Sequence, residues 1–149
     1  MRFSKTTDYA VRIMVALALA GEGQRLSLQT LSRRERIPRK FLEHVIRSLR
    51  EADLIRSSPG PKGGYQLAQP PEYISLAQIL LAAQGPFLPM DRLDPDKVPP
   101  HLRDPVERLR LVIDGIRTFA RQQLTSITLA DLAQVREVDE AHKALMYYI

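Results

Sequence analysis

Ala10, Ile13, Met14 and Leu17 recur at the three- and four-residue steps of one helix face, and the pattern stops at Gly21, a residue suited to the geometry just past a helix C-terminus. This predicts a first helix over 6–20. Ser27 is placed to cap a second helix over 28–36, with Leu28 and Leu31 inward and Arg33, Arg34 and Arg36 outward. Ile37-Pro38 closes it, because a residue before proline is pushed out of the helical region. A third helix starts near Pro38, a residue tolerated at the first helical position, buries Leu42, Val45, Ile46 and Leu49, and turns Arg39, Lys40, Glu43, His44, Arg47 and Arg50 outward. Two short strands follow over 54–58 and 65–68, joined by the reversal Pro59-Gly60-Pro61-Lys62-Gly63-Gly64.

Ser75 caps a fourth helix over 76–84, with Leu76, Ile79 and Leu80 inward and Gly85 at its end. Six prolines between Pro86 and Pro105 preclude a continuous helix there and predict a loop. Asp104-Pro105-Val106-Glu107 then carries the marks of a helix start: an acidic cap, proline at the first position and an acid in the first turn. That helix should reach residue 124, roughly 30 Å. Val106, Leu109, Ile113, Ile116 and Ala120 alternate three- and four-residue steps, the spacing of a coiled-coil seam, with Arg108, Arg110, Asp114, Arg117 and Arg121 outside it. Thr128 and Asp131 mark a short helix to 134, and residues 138–149 are amphipathic. The division expected is 1–84, a Pro-rich loop 85–104, and a helical segment 105–149.

The chain has 149 residues, 44% hydrophobic and 26% charged, which is the composition of one ordinary globular domain or a small domain with an extension. Cysteine is absent, which removes disulfides, thiolate metal sites, thiol nucleophiles and thiol redox switches. The apolar stretch 9–20 is interrupted by Arg12 and is shorter than a bilayer requires. The start Met1-Arg2-Phe3-Ser4-Lys5 lacks the long apolar run of a signal peptide, so the expected location is cytoplasmic, with no membrane partner. Charge is unevenly distributed: residues 1–64 hold 13 Lys and Arg against 6 Asp and Glu, and residues 65–149 hold 9 against 11. The first half is therefore the candidate polyanion-binding half.

Helix, short helix, turn, exposed helix and Gly/Pro hairpin is the order of a winged helix-turn-helix. The expected fold class is mainly α with a small β-hairpin wing, followed by a long dimerisation helix. An α-helix fits the major groove of DNA, and a turned hairpin reaches the neighbouring minor groove or backbone. Arg2, Lys5, Arg33, Arg34, Arg39, Lys40, Arg47, Arg50 and Lys62 are the candidate phosphate contacts, and Glu43 and His44 the candidates for reading base edges. The same pattern would also arise from a solvated helix face with Glu43 and Arg47 as an i,i+4 pair. Nothing else in the chain covers the 106–120 seam, which makes a second copy its simplest partner.

Met1-Arg2-Phe3-Ser4, Tyr9-Ala10-Val11, Phe41-Leu42-Glu43 followed by Leu49-Arg50, and the wing Gly60-Pro61-Lys62-Gly63-Gly64-Tyr65 together resemble the IscR/NsrR/CymR-type family of bacterial transcription regulators. The order and spacing match from residue 1 to about 134. The resemblance implies a homodimer held by the long helix, a helix-turn-helix reading each half of an inverted repeat in double-stranded DNA, and a wing entering the minor groove. It adds Phe41 and Gly60 to the candidate interface. Two departures stand out. Some relatives place an Arg before the first wing glycine, where this chain has Pro59, which leaves Lys62 to reach the groove. Cluster-binding relatives place three Cys between the fourth helix and the dimer helix, where this chain has none. Asp8 falls where some members supply a carboxylate ligand; without thiolates it is read as a first-turn acid facing the helix dipole.

His101 with Asp91, Asp94, Asp96 and Asp104 fits no compact ligand spacing, and His142 is isolated, so no metal and no cofactor is expected. No nucleophile elbow, P-loop or dinucleotide fingerprint is present, so no enzyme is expected. Two readings follow: a homodimeric DNA-binding transcription regulator, answering to an effector or partner protein of unknown identity, and a winged-helix protein–protein interaction module whose positive charge is incidental.

Overall fold

A computed structural model describes residues 4–89 and 93–134. Its elements run α1 (Lys5–Ala20), α2 (Leu28–Glu35), α3 (Arg39–Glu51), β1 (Ile55–Ser58), β2 (Gly64–Leu67), α4 (Leu76–Gln84) and α5 (Arg103–Ser126). Short 3-10 turns cover Pro71–Tyr73, Pro95–Lys97 and Pro100–Leu102, and a further helical stretch covers 129–134. The mainly helical winged helix-turn-helix with a two-strand wing and a long following helix is thus the observed fold. Arg2, Asp91, His142 and the amphipathic stretch 138–149 lie outside the described residues.

The helix starts follow from local chemistry. Ser4 accepts a hydrogen bond from the Thr7 amide, and Ser27 accepts one from the Thr30 amide. Ser75 and Gln78 form a reciprocal capping box, with bonds of 2.8 Å and 3.3 Å. Pro38 is the N-cap of α3 and not its first residue, and α2 ends one residue earlier than its periodicity suggested because Arg36 takes the left-handed conformation. The start of α5 is also corrected. The helix grows directly out of the Pro100–Leu102 turn, with Leu102 as N-cap and no side-chain cap, so Asp104 lies inside the first turn. Pro105 is tolerated there because the first four amides of a helix lack intrahelical acceptors. The helix extends to Ser126, two residues beyond expectation.

One core joins α1, α2, α3 and α4. Ile13, Met14, Leu31, Leu42, Leu49 and Ile79 are fully buried in it, and α1 packs most closely against α4. The wing is anchored to this core by Tyr65 and Leu67. β1 and β2 pair antiparallel with Ile55 opposite Leu67 and Ser57 opposite Tyr65. Leu26, just before α2, adds a third rung, exchanging amide and carbonyl bonds with Tyr65 at 3.0 Å and 2.9 Å. Gly64 is required at that crossing, because its φ is +153° and a Cβ there would meet the Leu26 carbonyl oxygen at 2.7 Å.

The segment after α5 folds back onto the N-terminal body. The Leu76 amide donates to the Ile127 carbonyl and the Leu129 amide to the Ile74 carbonyl, both at 2.8 Å, and Leu129 is fully buried among α1–α4 core residues. Asp131 accepts from the Thr128 amide and hydroxyl, and those bonds, the amide's first, hold its carboxyl below the usual carboxylate range. In the proline loop, Lys97 pairs with Asp94 at 2.9 Å, and the two 3-10 turns pack on α5.

Candidate nucleic-acid interface

The turn between α2 and α3 is built from three local features. Arg36 adopts φ 53° and ψ 42°, the Ile37 amide bonds to the Ser32 carbonyl, and the Ser32 hydroxyl donates to the Ile37 carbonyl at 2.7 Å. Ile37 is then buried, which fixes the angle at which α3 leaves. Glu35 on α2 is only 3% exposed, with its carboxylate 3.6 Å from Arg34 Nε and 3.9 Å from Arg12 Nε on α1. A buried acid held between cations on two helices ties the helix-turn-helix to α1. Its periodicity gave no sign of this role, since it sits among outward-facing arginines.

With its apolar stripe spent on the core, α3 presents Arg39, Lys40, Phe41, Glu43, His44, Arg47 and Arg50 to solvent. Arg39 Nε donates to Glu43 Oε1 at 3.0 Å, so Glu43 pairs back along the helix with Arg39; no ion pair joins it to Arg47. Phe41 is 52% exposed, and its ring lies 6.2 Å from that of Tyr9 on α1. Arg12 spans Tyr9, at 5.7 Å from the ring centroid, and Asp8, at 3.2 Å. Asp8 is therefore an ion-pair partner as well as a first-turn acid. Lys5 at the head of α1 and Arg33 and Arg34 at the end of α2 are all exposed.

The wing tip carries Pro59, Gly60, Pro61 and Lys62, all exposed, and Gly60 has a φ of +103°. The turn closes through the Gly63 amide and the Gly60 carbonyl at 2.9 Å. Because Tyr65 and Leu67 face the core, their neighbours alternate outward: Arg56 lies opposite Gln66, and Arg25 Nε donates to Gln66 Oε1 at 3.3 Å. Arg25 and Arg56 thus add two cations to the outer face of the wing. The charge count contained them, but only the strand register brings them together.

No residue of α5 is fully buried. Of the expected seam, Leu109 and Ile116 are exposed, while Val106, Ile113 and Ala120 are half-buried against the chain itself. The open apolar stripe is displaced to one side: Leu109, Val112, Ile116 and Phe119 follow steps of three, four and three, and all are exposed. Val112 and Phe119 were missed because two overlapping stripes share Leu109 and Ile116, and spacing alone does not separate them.

Among the described residues, no group of three or more His, Asp and Glu is placed to hold a metal ion. His101 sits exposed in the Pro100–Leu102 turn, and Asp94 is engaged by Lys97. No described helix is long and apolar enough to cross a membrane.

Residues 3–135 match the Rrf2 family, described as an iron-dependent transcriptional regulator. This chain belongs to the Rrf2 family. The HTH-type transcriptional regulator CymR of Bacillus subtilis is 31% identical over 150 residues, covering all of both chains. Protein rrf2 of Nitratidesulfovibrio vulgaris is 30% identical over 132 residues, or 89% of this chain and 87% of that protein. Among solved structures, CymR, the global cysteine regulator of B. subtilis, superposes with a TM-score of 0.70 at 28% identity, covering 91% of this chain and 98% of that one. IscR of T. potens gives 0.70 at 26% identity, covering 95% and 90%. The chain is accordingly a DNA-binding helix-turn-helix transcriptional regulator. The family description names iron, yet a protein iron–sulfur cluster is held chiefly by thiolates and this chain has no cysteine, so its donor set does not fit such a cluster.

Proposed function

We propose that this Rrf2-family regulator acts in the cytoplasm as a homodimer on an inverted-repeat operator, without an iron–sulfur cluster and without enzymatic activity. The observation that carries this reading is the shared exposure of the outer face of α3 and the cationic outer face of the wing, both packed on one core. In a complex, α3 enters the major groove. Arg39, Lys40, Arg47 and Arg50 meet phosphates beside it, and Glu43 and His44 meet base edges. Arg33, Arg34 and Lys5 extend the phosphate contacts from the neighbouring helices. Lys62, Arg25 and Arg56 follow the adjacent backbone or minor groove.

Dimerisation supports the same reading. Leu109, Val112, Ile116 and Phe119 form an exposed apolar stripe at heptad spacing, and a self-complementary stripe on a long helix suits a two-fold pair. Two copies related in that way present two recognition helices, which is the symmetry of an inverted repeat. A module that only docks another protein would use the α5 stripe but leave the α3 and wing cations without a role. Aerobic protein should be colourless; a visible charge-transfer band with stoichiometric iron and sulfide would contradict the cluster-free reading.

Salt dependence tests the electrostatic core of the proposal. If about six to ten phosphates are met per dimer, log affinity falls with log salt at a slope near −0.9 for each phosphate. Arg50→Ala should weaken every DNA sequence alike and reduce that slope by about one per subunit. Affinity flat between low and physiological salt would refute DNA binding through this face.

A further inference from the structure

A cavity of about 630 Å3 opens between α4 and the C-terminal half of α5, a size that suits a small-molecule ligand. Its apolar lining includes Leu80, Leu81, Phe87 and Leu124. Leu81 is 58% exposed and Tyr73, also on the lining, is 69% exposed, so this body leaves large apolar surface open here. Across from α4, Arg117 and Arg121 stand one helical turn apart. Arg117 Nη1 lies 3.7 Å from Asp114 Oδ1, whereas Arg121 has no hydrogen-bond or ion-pair partner among the described residues. A guanidinium with no partner among the described residues, set beside apolar walls, matches an anion that carries an apolar body, since the planar fork binds a carboxylate bidentately.

The cavity lies on a different side of α5 from the open stripe. Asp114, Arg117, Arg121 and Thr125 alternate with Leu109, Val112, Ile116 and Phe119 around the helix, so a second copy on the stripe leaves the cavity accessible. The cavity wall is also joined to the first turn of α1. Gln84, the last residue of α4, lines the cavity, and its Oε1 accepts a 2.7 Å hydrogen bond from the hydroxyl of buried Thr7. The Thr7 amide in turn donates to Ser4, the N-cap of α1, next to Lys5.

We propose that this cavity is an effector site for a small monocarboxylate with an apolar body, the carboxylate held by Arg121, and that the Gln84–Thr7 hydrogen bond carries occupancy to the first turn of α1. A ligand that draws the Gln84 amide into the cavity breaks that bond and loosens the head of α1. The binding half stands on the cavity alone; only its consequence for operator affinity rests on the DNA-binding reading above.

Octanoate is the probe, with octanamide as its neutral isostere. Calorimetric titration of octanoate into the full chain should give saturable binding at one site per chain, at least tenfold weaker with octanamide and at least tenfold weaker in Arg121→Gln. Arg121 is exposed, so that variant should fold, as circular dichroism checks. Bound octanoate should speed amide exchange across Lys5–Asp8 in the wild type, and Gln84→Ala should show fast exchange there with or without octanoate. Absence of saturable binding, or binding indifferent to the carboxylate and to Arg121, overturns the site. Exchange at Lys5–Asp8 unchanged by bound octanoate overturns the coupling. Both readings need no DNA, so they stand or fall separately from the failure of any operator to bind.

Discussion

Arg39 and Glu43 are joined on the open face of α3 by a 3.0 Å charge-assisted hydrogen bond, one turn into the helix that faces solvent. Both side chains are exposed, so the pair's contribution to stability is small. Its consequence lies in binding: the carboxylate both restrains a phosphate-seeking cation and presents an acceptor for a cytosine amino group.

Glu43→Ala should therefore free Arg39, keep or raise affinity for non-specific DNA, and relax discrimination at one base pair per half-site by about 1–3 kcal/mol. Competition between the preferred site and its single-base variants measures this. If the substitution lowers affinity for all of them equally, Glu43 serves only to hold Arg39.

The α5 stripe makes a separable prediction. Ile116 and Phe119 are exposed in the single chain, so Ile116→Glu with Phe119→Glu should leave the fold intact, as circular dichroism would report, while converting dimers to monomers by light scattering. Operator affinity should collapse together with the dimer. An unchanged mass would move the interface elsewhere.

Leu129 tests whether the segment after α5 belongs to the N-terminal core. It is fully buried there, so Leu129→Ala should cost about 2–5 kcal/mol in denaturant unfolding. Leu111→Ala, at an exposed position of α5, should stay within about 0.5 kcal/mol. Equal effects would mean that the fold-back contributes nothing to the core.

Those buried and exposed positions also mark what could be read from the chain itself. The stripes of α1 and α3, the serine caps at Ser27 and Ser75, and the Gly/Pro reversal are local signals, and each placed its element within a residue or two. The Leu26–Tyr65 rung and the insertion of Leu129 pair residues far apart in sequence, and no periodicity encodes such a pairing. Glu35 looked like one more polar position on a basic helix, and only the approach of Arg12 from α1 explains its burial. At the interface the cations of α3 were legible as an outward face. The joining of Arg25 and Arg56 required the strand register, and the choice of Arg39 over Arg47 as the partner of Glu43 lies in side-chain conformation, because both arginines stand four residues from it.

Selection of bound sequences from random duplex DNA by the full chain tests the central claim most directly. The account predicts enrichment of an inverted repeat whose half-sites are separated by about one helical turn, roughly 34–36 Å, matching two recognition helices related by a two-fold axis. Enrichment of a single asymmetric site, or of no sequence at all at a salt concentration where binding persists, would contradict it.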